Sequence, residues 1–342
     1  MIEIDGSLGE GGGQVLRTAL TLSVLTGKSF RIDNIRGNRS QPGLKNQHLT
    51  ALRAAGTICG AEIEGDRLEG QRVMFRPGEI RSGSYQFEIP TAGSAALVLQ
   101  TLLLPLSRAE GSSRVSVVGG THVPWSPCYH YLAWQWLPAL KAIGFDAELE
   151  LDQAGYYPRG GGRITARIEP GQGKQPLEWL ERGEITEIRG LSGVSNLPVK
   201  IAQRQREQVV RSLGASYPLN DIRAREVAAV GKGTFIVLKV ACEEGQACFF
   251  SLGRPGKPAE RVGQEAADQV QSWVESGGAV DRFLSDQLLI PLALARGQSR
   301  IRVPEFTSHL KTNAVIISHF LDAEFAYQED SRLLVISPTG LD

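Results

Sequence analysis

Three stretches of the chain carry residue types capable of phosphate chemistry. In "EIDGSLGEGGGQVLR" a glycine cluster separates a strand-like from a helix-like segment. The backbone N–H groups of Gly11, Gly12 and Gly13 and a helix N-terminus then face one spot and favour an anion there. The cluster matches neither common nucleotide loop: G-x-x-x-x-G-K-[ST] occurs nowhere, and Gln14 stands where the dinucleotide fingerprint needs Gly or Ala. Glu10 lies inside the cluster, where a carboxylate repels phosphate unless a divalent cation joins them. A glycine-rich turn with a solvated Glu is the competing reading. From Asn34 to Ala61 there is no Asp or Glu, while Arg36, Arg39, Lys45, His48 and Arg53 fall there. Such a cationic strip suits phosphate oxygens, and equally suits a solvated face balanced elsewhere in the fold.

The third stretch is "PEFTSHLKTN", where His309 reads as part of a loop between the strand "RIRV" and the last helix. Imidazole serves as metal ligand, acid or base, nucleophile, or plain structural residue. A metal reading lacks companions, since His319 is ten residues on and no H-x-E or H-x-x-H spacing lies nearby. "GGTHVPWSPCYH" and "YYPRGGGR" are further Gly/Pro/aromatic loops at strand ends, each readable as a turn or as a cleft wall.

The elements that must position these residues recur. "QVLRTALTLSVLTGKSFRI", "AALVLQTLLLPLSRAEGSSRVSV" and "LSDQLLIPLALARGQSRIRV" share an order of apolar helix, Gly-containing turn, basic residue and alternating strand. A second helix and two closing strands follow each. "IEI" and "YQFEI" lead into the first two copies, giving a βαβαββ unit. The third copy's lead reads as "GEITEIRG", Gly183 to Gly190, about ninety residues early. The expected fold is therefore α/β (α+β): three βαβαββ repeats over 1–184 and 280–342, with a smaller α/β domain over 185–279 inserted in the third. The insert reads as helix "IAQRQREQVVRSL", strands "EVAAV", "TFIVLKVA" and "ACFFSL", then helix "AERVGQEAADQVQSWVES". Arg204, Arg206 and Arg211 on its first helix suit a solvated face better than the docking of a polyanion, and its edge strands are compatible with a homodimer.

Composition sets the outer limits. At 342 residues, 42% hydrophobic and 22% charged, the chain has the make-up of a globular enzyme. With 37 basic and 37 acidic residues, a polyanion must be met by a local patch and not by a global field. Cys59, Cys128, Cys242 and Cys248 form no C-x-x-C pair, there is no signal-like N-terminus, and no long apolar run appears. A cytoplasmic protein without a membrane anchor is expected.

The blocks "DGSLGEGGGQVLR", "RGNRSQPGLKNQH", "GSAALVLQT", "FLSDQLLIPLALA" and "SHLKTN" together resemble the RNA 3'-terminal phosphate cyclase family, over nearly the whole chain and in order. The resemblance implies a ligase-class enzyme: ATP-dependent conversion of an RNA 3'-phosphate to a 2',3'-cyclic phosphodiester. In the family a histidine, matching His309, attacks the α-phosphorus of ATP. AMP then passes to the RNA 3'-phosphate, and the vicinal 2'-hydroxyl expels it. Glu10 matches the position expected to contact Mg²⁺ or Mn²⁺. Arg17, Arg36, Arg39 and Gln47 match residues that hold phosphates of ATP or of the RNA end. Nucleotide contacts match Gln100 and the block Phe283, Leu284, Ser285, Asp286 and Gln287, with adenine between Pro127 and Phe283. Many members carry Tyr at the position of Phe283, so the stacking face is kept and a hydroxyl is lost. A non-catalytic, ribosome-assembly branch lacks the histidine, and His309 argues against it. An enolpyruvyl-type transferase on the related fold is a weaker alternative.

Overall fold

The computed structural model describes residues 1–171 and 173–339. The first repeat contains β1 (Ile2–Asp5), α1 (Gln14–Thr26), β2 (Phe30–Asp33), α2 (Asn46–Cys59), β3 (Glu62–Glu64) and β4 (Val73–Arg76). Its sheet runs β1-β2-β4-β3, with β1 parallel to β2 and the remaining pairs antiparallel. The second contains β5 (Ser84–Glu88), α3 (Ala95–Leu106) and β6 (Ser113–Gly119). It continues through α4 (Tyr129–Tyr131), a π-helical turn (Leu132–Trp136), α5 (Leu137–Ile143), β7 (Ala147–Gln153) and β8 (Gly162–Ile168). The order β5-β6-β8-β7 repeats the first sheet strand for strand.

The third copy's lead strand is not Gly183–Gly190. It is β9 (Glu178–Trp179), which pairs parallel with the later strand at Ser299–Arg302. Two residues are too few to show a strand period, which is why the sequence pattern passes over them. Gly183–Gly190 instead runs into β10 (Ile185–Ser195) of a fourth sheet. With α6 (Lys200–Leu213), β11 (Leu219–Glu226), β12 (Gly233–Cys242), β13 (Gln246–Leu252) and α7 (Ala259–Ser276), it gives the order β11-β10-β12-β13. The strand expected at "EVAAV" lies earlier, over "LNDIRARE". This is an edge strand whose charged residues leave only Ile222 buried, so no apolar alternation marks it.

The third copy then resumes. The single apolar helix expected there is two short ones, α8 (Arg282–Gln287) and α9 (Leu289–Ala293), with Pro291 in the second. After them come β14 (Ser299–Arg302), α10 (Ser308–Phe320), β15 (Ala323–Gln328) and β16 (Leu333–Pro338), in the order β15-β16-β14-β9. Strands β5 and β7 alternate exposed and half-buried residues, as in sheets with one wet face. Helix α3, apolar nearly all round, is buried. In β12 the alternation separates two cores: Ile236, Leu238 and Val240 pack with α6 and α7, while Phe235 and Val237 join the large core. Among the described residues no helix is long and apolar enough to cross a membrane.

Candidate active site

The glycine cluster joins the end of β1 to α1, and two of its positions need glycine for definite reasons. Gly9 has φ +61°, and a Cβ there would stand 2.1 Å from Thr312 Oγ1 of α10. A Cβ on Gly13 would stand 2.1 Å from His48 Nε2 and 2.9 Å from Arg17 Nη1. The cluster is thus pressed between α10 and the basic strip. Gly13 is the N-cap of α1, and no side chain caps that end. The first amides of a thirteen-residue helix are left for an outside acceptor.

His309 does not sit in a loop as its surroundings suggest; it occupies the first turn of α10. Thr307 is the N-cap, and its Oγ1 accepts the Leu310 N–H at 3.1 Å. Both imidazole nitrogens are addressed. Nδ1 lies 3.2 Å from Asp286 Oδ2 and Nε2 lies 3.4 Å from Glu10 Oε2. An ionised carboxylate only accepts, so Asp286 and Glu10 together favour the imidazolium; in the neutral ring Asp286, the nearer of the two, holds the proton on Nδ1, and Nε2 faces Glu10 and the glycine cluster. The hydrogen bond to Asp286 raises the His309 pKa above its ordinary value, against the pull of burial. Burial pushes the Asp286 carboxyl up, while His309 and Arg17 draw it down.

The supporting contacts come from elements far apart in sequence. Gln14 Nε2 donates to the His309 carbonyl at 3.2 Å. Asn313 Nδ2 donates to the Asp286 carbonyl at 3.2 Å, and Asn313 Oδ1 accepts from Thr18 Oγ1 at 2.8 Å. Neither Gln14 nor Asn313 is marked as a site residue by type or spacing; both are polar groups on otherwise packed helices, and each has a partner 295 positions away in sequence.

The basic strip divides. Arg39 Nη2 donates to Glu10 Oε2 at 3.1 Å, joining strip and cluster. Arg17 lies beside Asp286, and burial pushes its pKa down to about 10, so it stays cationic at neutral pH. Arg36 Nη1 donates to the Gln41 and Gly43 carbonyls at 2.7 and 3.1 Å, bracing its own loop. Gln47 Oε1 accepts the Ser94 N–H at 2.8 Å. His48 is held neutral, its pKa lowered to about 3 by burial and nearby cations. Arg53 is paired with Asp66 and Lys45 with Glu69.

Gln100 Nε2 donates to Gln287 Oε1 at 2.6 Å, joining α3 to α8. Leu284 is buried, and Ser285 Oγ donates to the Arg282 carbonyl. Phe283 is 44% exposed, edge-on to Tyr131 at 6.5 Å, with the Arg282 guanidinium 5.5 Å over its ring. Asp281 caps α8, accepting from the Phe283 and Leu284 amides and from Tyr131 Oη. Pro127 is half-buried in the loop that leads to Tyr131. Among the described residues, Glu10 belongs to no group of three or more clustered metal donors.

The family model for RNA 3'-terminal phosphate cyclase matches residues 8–327. The chain belongs to that family. A relative named RNA 3'-terminal phosphate cyclase from Gloeothece citriformis is 41% identical, with 99% of each chain covered. One of the same name from Ectopseudomonas mendocina is 42% identical over 97% of this chain and 96% of its own. A third, from Methanothermobacter thermautotrophicus, is 42% identical over 92% and 93%. Among solved structures, the enolpyruvyl transferase NikO from Streptomyces tendae overlaps 50% of this chain and 33% of its own, at TM-score 0.29 and 14% identity. An overlap that slight carries no argument. The cyclase family match spans the glycine cluster, the basic strip and His309 in a single alignment.

Proposed function

We propose that the protein converts an RNA 3'-terminal phosphate to a 2',3'-cyclic phosphodiester at the expense of ATP, with His309 as the nucleophile. The observation that carries this reading is the Asp286–His309 pair, which holds the Nδ1 proton of the neutral ring and turns Nε2 toward Glu10, Arg39 and the uncapped end of α1.

In this reading the triphosphate lies along the Gly11–Gly13 turn, against the amides of Gly12 and Gly13, the Gly11 amide being held by the Leu8 carbonyl at 3.0 Å, and against Arg17, with adenine between Pro127 and Phe283. Nε2 attacks the α-phosphorus, an N–P bond forms and pyrophosphate leaves. A 3'-phosphate oxygen of RNA, held by Arg36, Arg39 and Gln47, then displaces His309 and takes the adenylyl group. The 2'-hydroxyl attacks the 3'-phosphorus, AMP departs and the hydroxyl proton is lost to solvent or base. Nucleophile and electrophile of the last step share one ribose, so positioning is intramolecular. Glu10 is the carboxylate that would hold Mg²⁺ or Mn²⁺. Its single carboxylate fits an ion that takes its other ligands from phosphates and water, and that ion would neutralise charge on the leaving pyrophosphate. We extend the proposal to domain organisation: 1–184 and 280–342 as the catalytic body, 185–279 as the inserted unit.

The competing reading is a non-catalytic RNA-binding protein of the same family. It predicts RNA binding with no ATP consumption. A 3'-phosphorylated oligonucleotide incubated with ATP and Mg²⁺ should become resistant to phosphatase, releasing AMP and pyrophosphate in equal amounts. Binding without conversion under both Mg²⁺ and Mn²⁺ would favour the scaffold. Charge reversal by Arg39→Glu should raise KM for RNA and disturb Glu10; an unchanged KM would return Arg39 to the solvated face.

A further inference from the structure

The reading above leaves unused three buried donors in the loop between β6 and α4 and at the start of α4. One ligand atom each from His122, Cys128 and His130 lies within 4.8 Å of the others, and among the described residues no other such group gathers. His122 Nε2 and His130 Nδ1 face each other at 3.0 Å. Two protons do not fit between them, so one nitrogen donates and the other offers its lone pair. For comparison, two nitrogens on one tetrahedral Zn²⁺ at about 2.0–2.1 Å sit about 3.3 Å apart. A cation can therefore take the place of that shared proton if the rings part by a few tenths of an ångström.

The surroundings are those of a ligand set. His122 Nδ1 lies 2.8 Å from Thr121 Oγ1, which also accepts the Gly155 N–H. Outer-shell partners of this kind orient metal-bound imidazoles. Phe235 stacks on His122 at 4.2 Å and lies tilted against His130 at 5.1 Å, and Trp134 meets His130 edge-on at 5.1 Å. Both imidazoles are buried. Cys128 is a free, buried thiol.

We propose that His122 Nε2, His130 Nδ1 and Cys128 Sγ bind one thiophilic d¹⁰ metal ion, Zn²⁺ or Cu⁺. Uptake releases the Cys128 proton to solvent, and the proton between the imidazoles moves to the outer nitrogen of the ring that carries it. A thiolate with Cu⁺ leaves the site neutral, which suits an apolar box near the Arg225 cation. Zn²⁺ leaves one positive charge and requires a fourth donor. The ion would tie the loop that carries His122 and Pro127 to the start of α4, against Phe235 of the fourth sheet. This site is independent of the cyclase reading.

The test uses the full chain expressed with added Zn²⁺ or, separately, with copper under reducing conditions, so that loading accompanies folding. After desalting, metal is counted by plasma mass spectrometry, and X-ray absorption reads its ligands. The expected result in at least one arm is about one ion per chain with two imidazole nitrogens and one sulfur, the sulfur at about 2.3 Å for zinc. Cys128→Ser and His130→Asn should each lower bound metal at least about tenfold, and His309→Ala should leave it unchanged. The wild-type absorption spectrum needs no variant, so misfolding of a mutant leaves the test intact. Less than about a tenth of an ion per chain in both arms, or a bound ion without a sulfur neighbour, would overturn the proposal.

Discussion

At the scale of the residue, His309 is half exposed, with 48% of its side chain accessible, and it gains definition from Asp286. The carboxylate raises the imidazole pKa, which makes Nε2 a stronger nucleophile and postpones its neutral form to higher pH. Adenylylation should therefore rise as pH passes upward through a pKa raised above the ordinary histidine value. The stability contributed by the ion pair runs the other way: it is full below the unfolded-state pKa and is lost as pH rises through the raised folded one. Asp286→Asn should lower the plateau rate about 10²–10⁴-fold and move the acid limb to lower pH. Single-turnover label transfer between about pH 5 and 9 reads both effects, and an acid limb left in place would detach Asp286 from the imidazole. Residue type and local charge marked Glu10, Arg39 and His309 as candidates and left their roles open; the roles came with the family resemblance. The Asp286–His309 bond was not legible, because 23 positions and a change of element separate the partners. The donation of Arg36 Nη1 to the carbonyls of its own loop was likewise not visible in residue type or local charge.

At the scale of the element, the site depends on how two helices begin. The N-terminus of α1 is left uncapped by side chains while that of α10 is capped by Thr307, so one end is open to an anion and the other holds His309 in register. Thr307→Ala should cost about 1 kcal/mol and slow adenylylation by loosening the first turn, with Thr307→Ser restoring both. Thermal denaturation beside the label assay checks this. Full activity in a destabilised Thr307→Ala protein would separate the cap from the chemistry. Gly9→Ala meets Thr312 Oγ1 at a left-handed backbone position and should displace the cluster from α10, reducing activity more than stability. Normal turnover in that variant would remove the contact from the argument. Elements with a strong period, such as α7 and the doubly buried β12, stood out in the sequence. Strand β9 was too short to show a period, and β11 hid behind its edge-strand charges.

At the scale of the whole molecule, three sheets of one strand order surround apolar helices, and the site forms where the first copy meets the third. Asn313 bridges them, accepting from Thr18 of α1 and donating to the Asp286 carbonyl. Asn313→Ala leaves that buried carbonyl and hydroxyl without partners and should cost roughly 1–3 kcal/mol. As a positioning residue, it should lower the adenylylation rate while RNA binding is kept; equal loss of both would make it merely structural. The repetition was visible in the sequence as a recurring order of helix, turn and strand. The meeting of first and third copies was not, because it is set by contacts some 295 positions apart. The central claim, that His309 becomes the carrier of AMP, is met most directly by incubating the protein with ATP labelled at the α-phosphate and mapping the adduct. The expected result is one acid-labile, alkali-stable label on His309 that RNA 3'-phosphate discharges and that His309→Ala lacks. Label retained in His309→Ala, or cyclic ends formed by that variant at the wild-type rate, would contradict it.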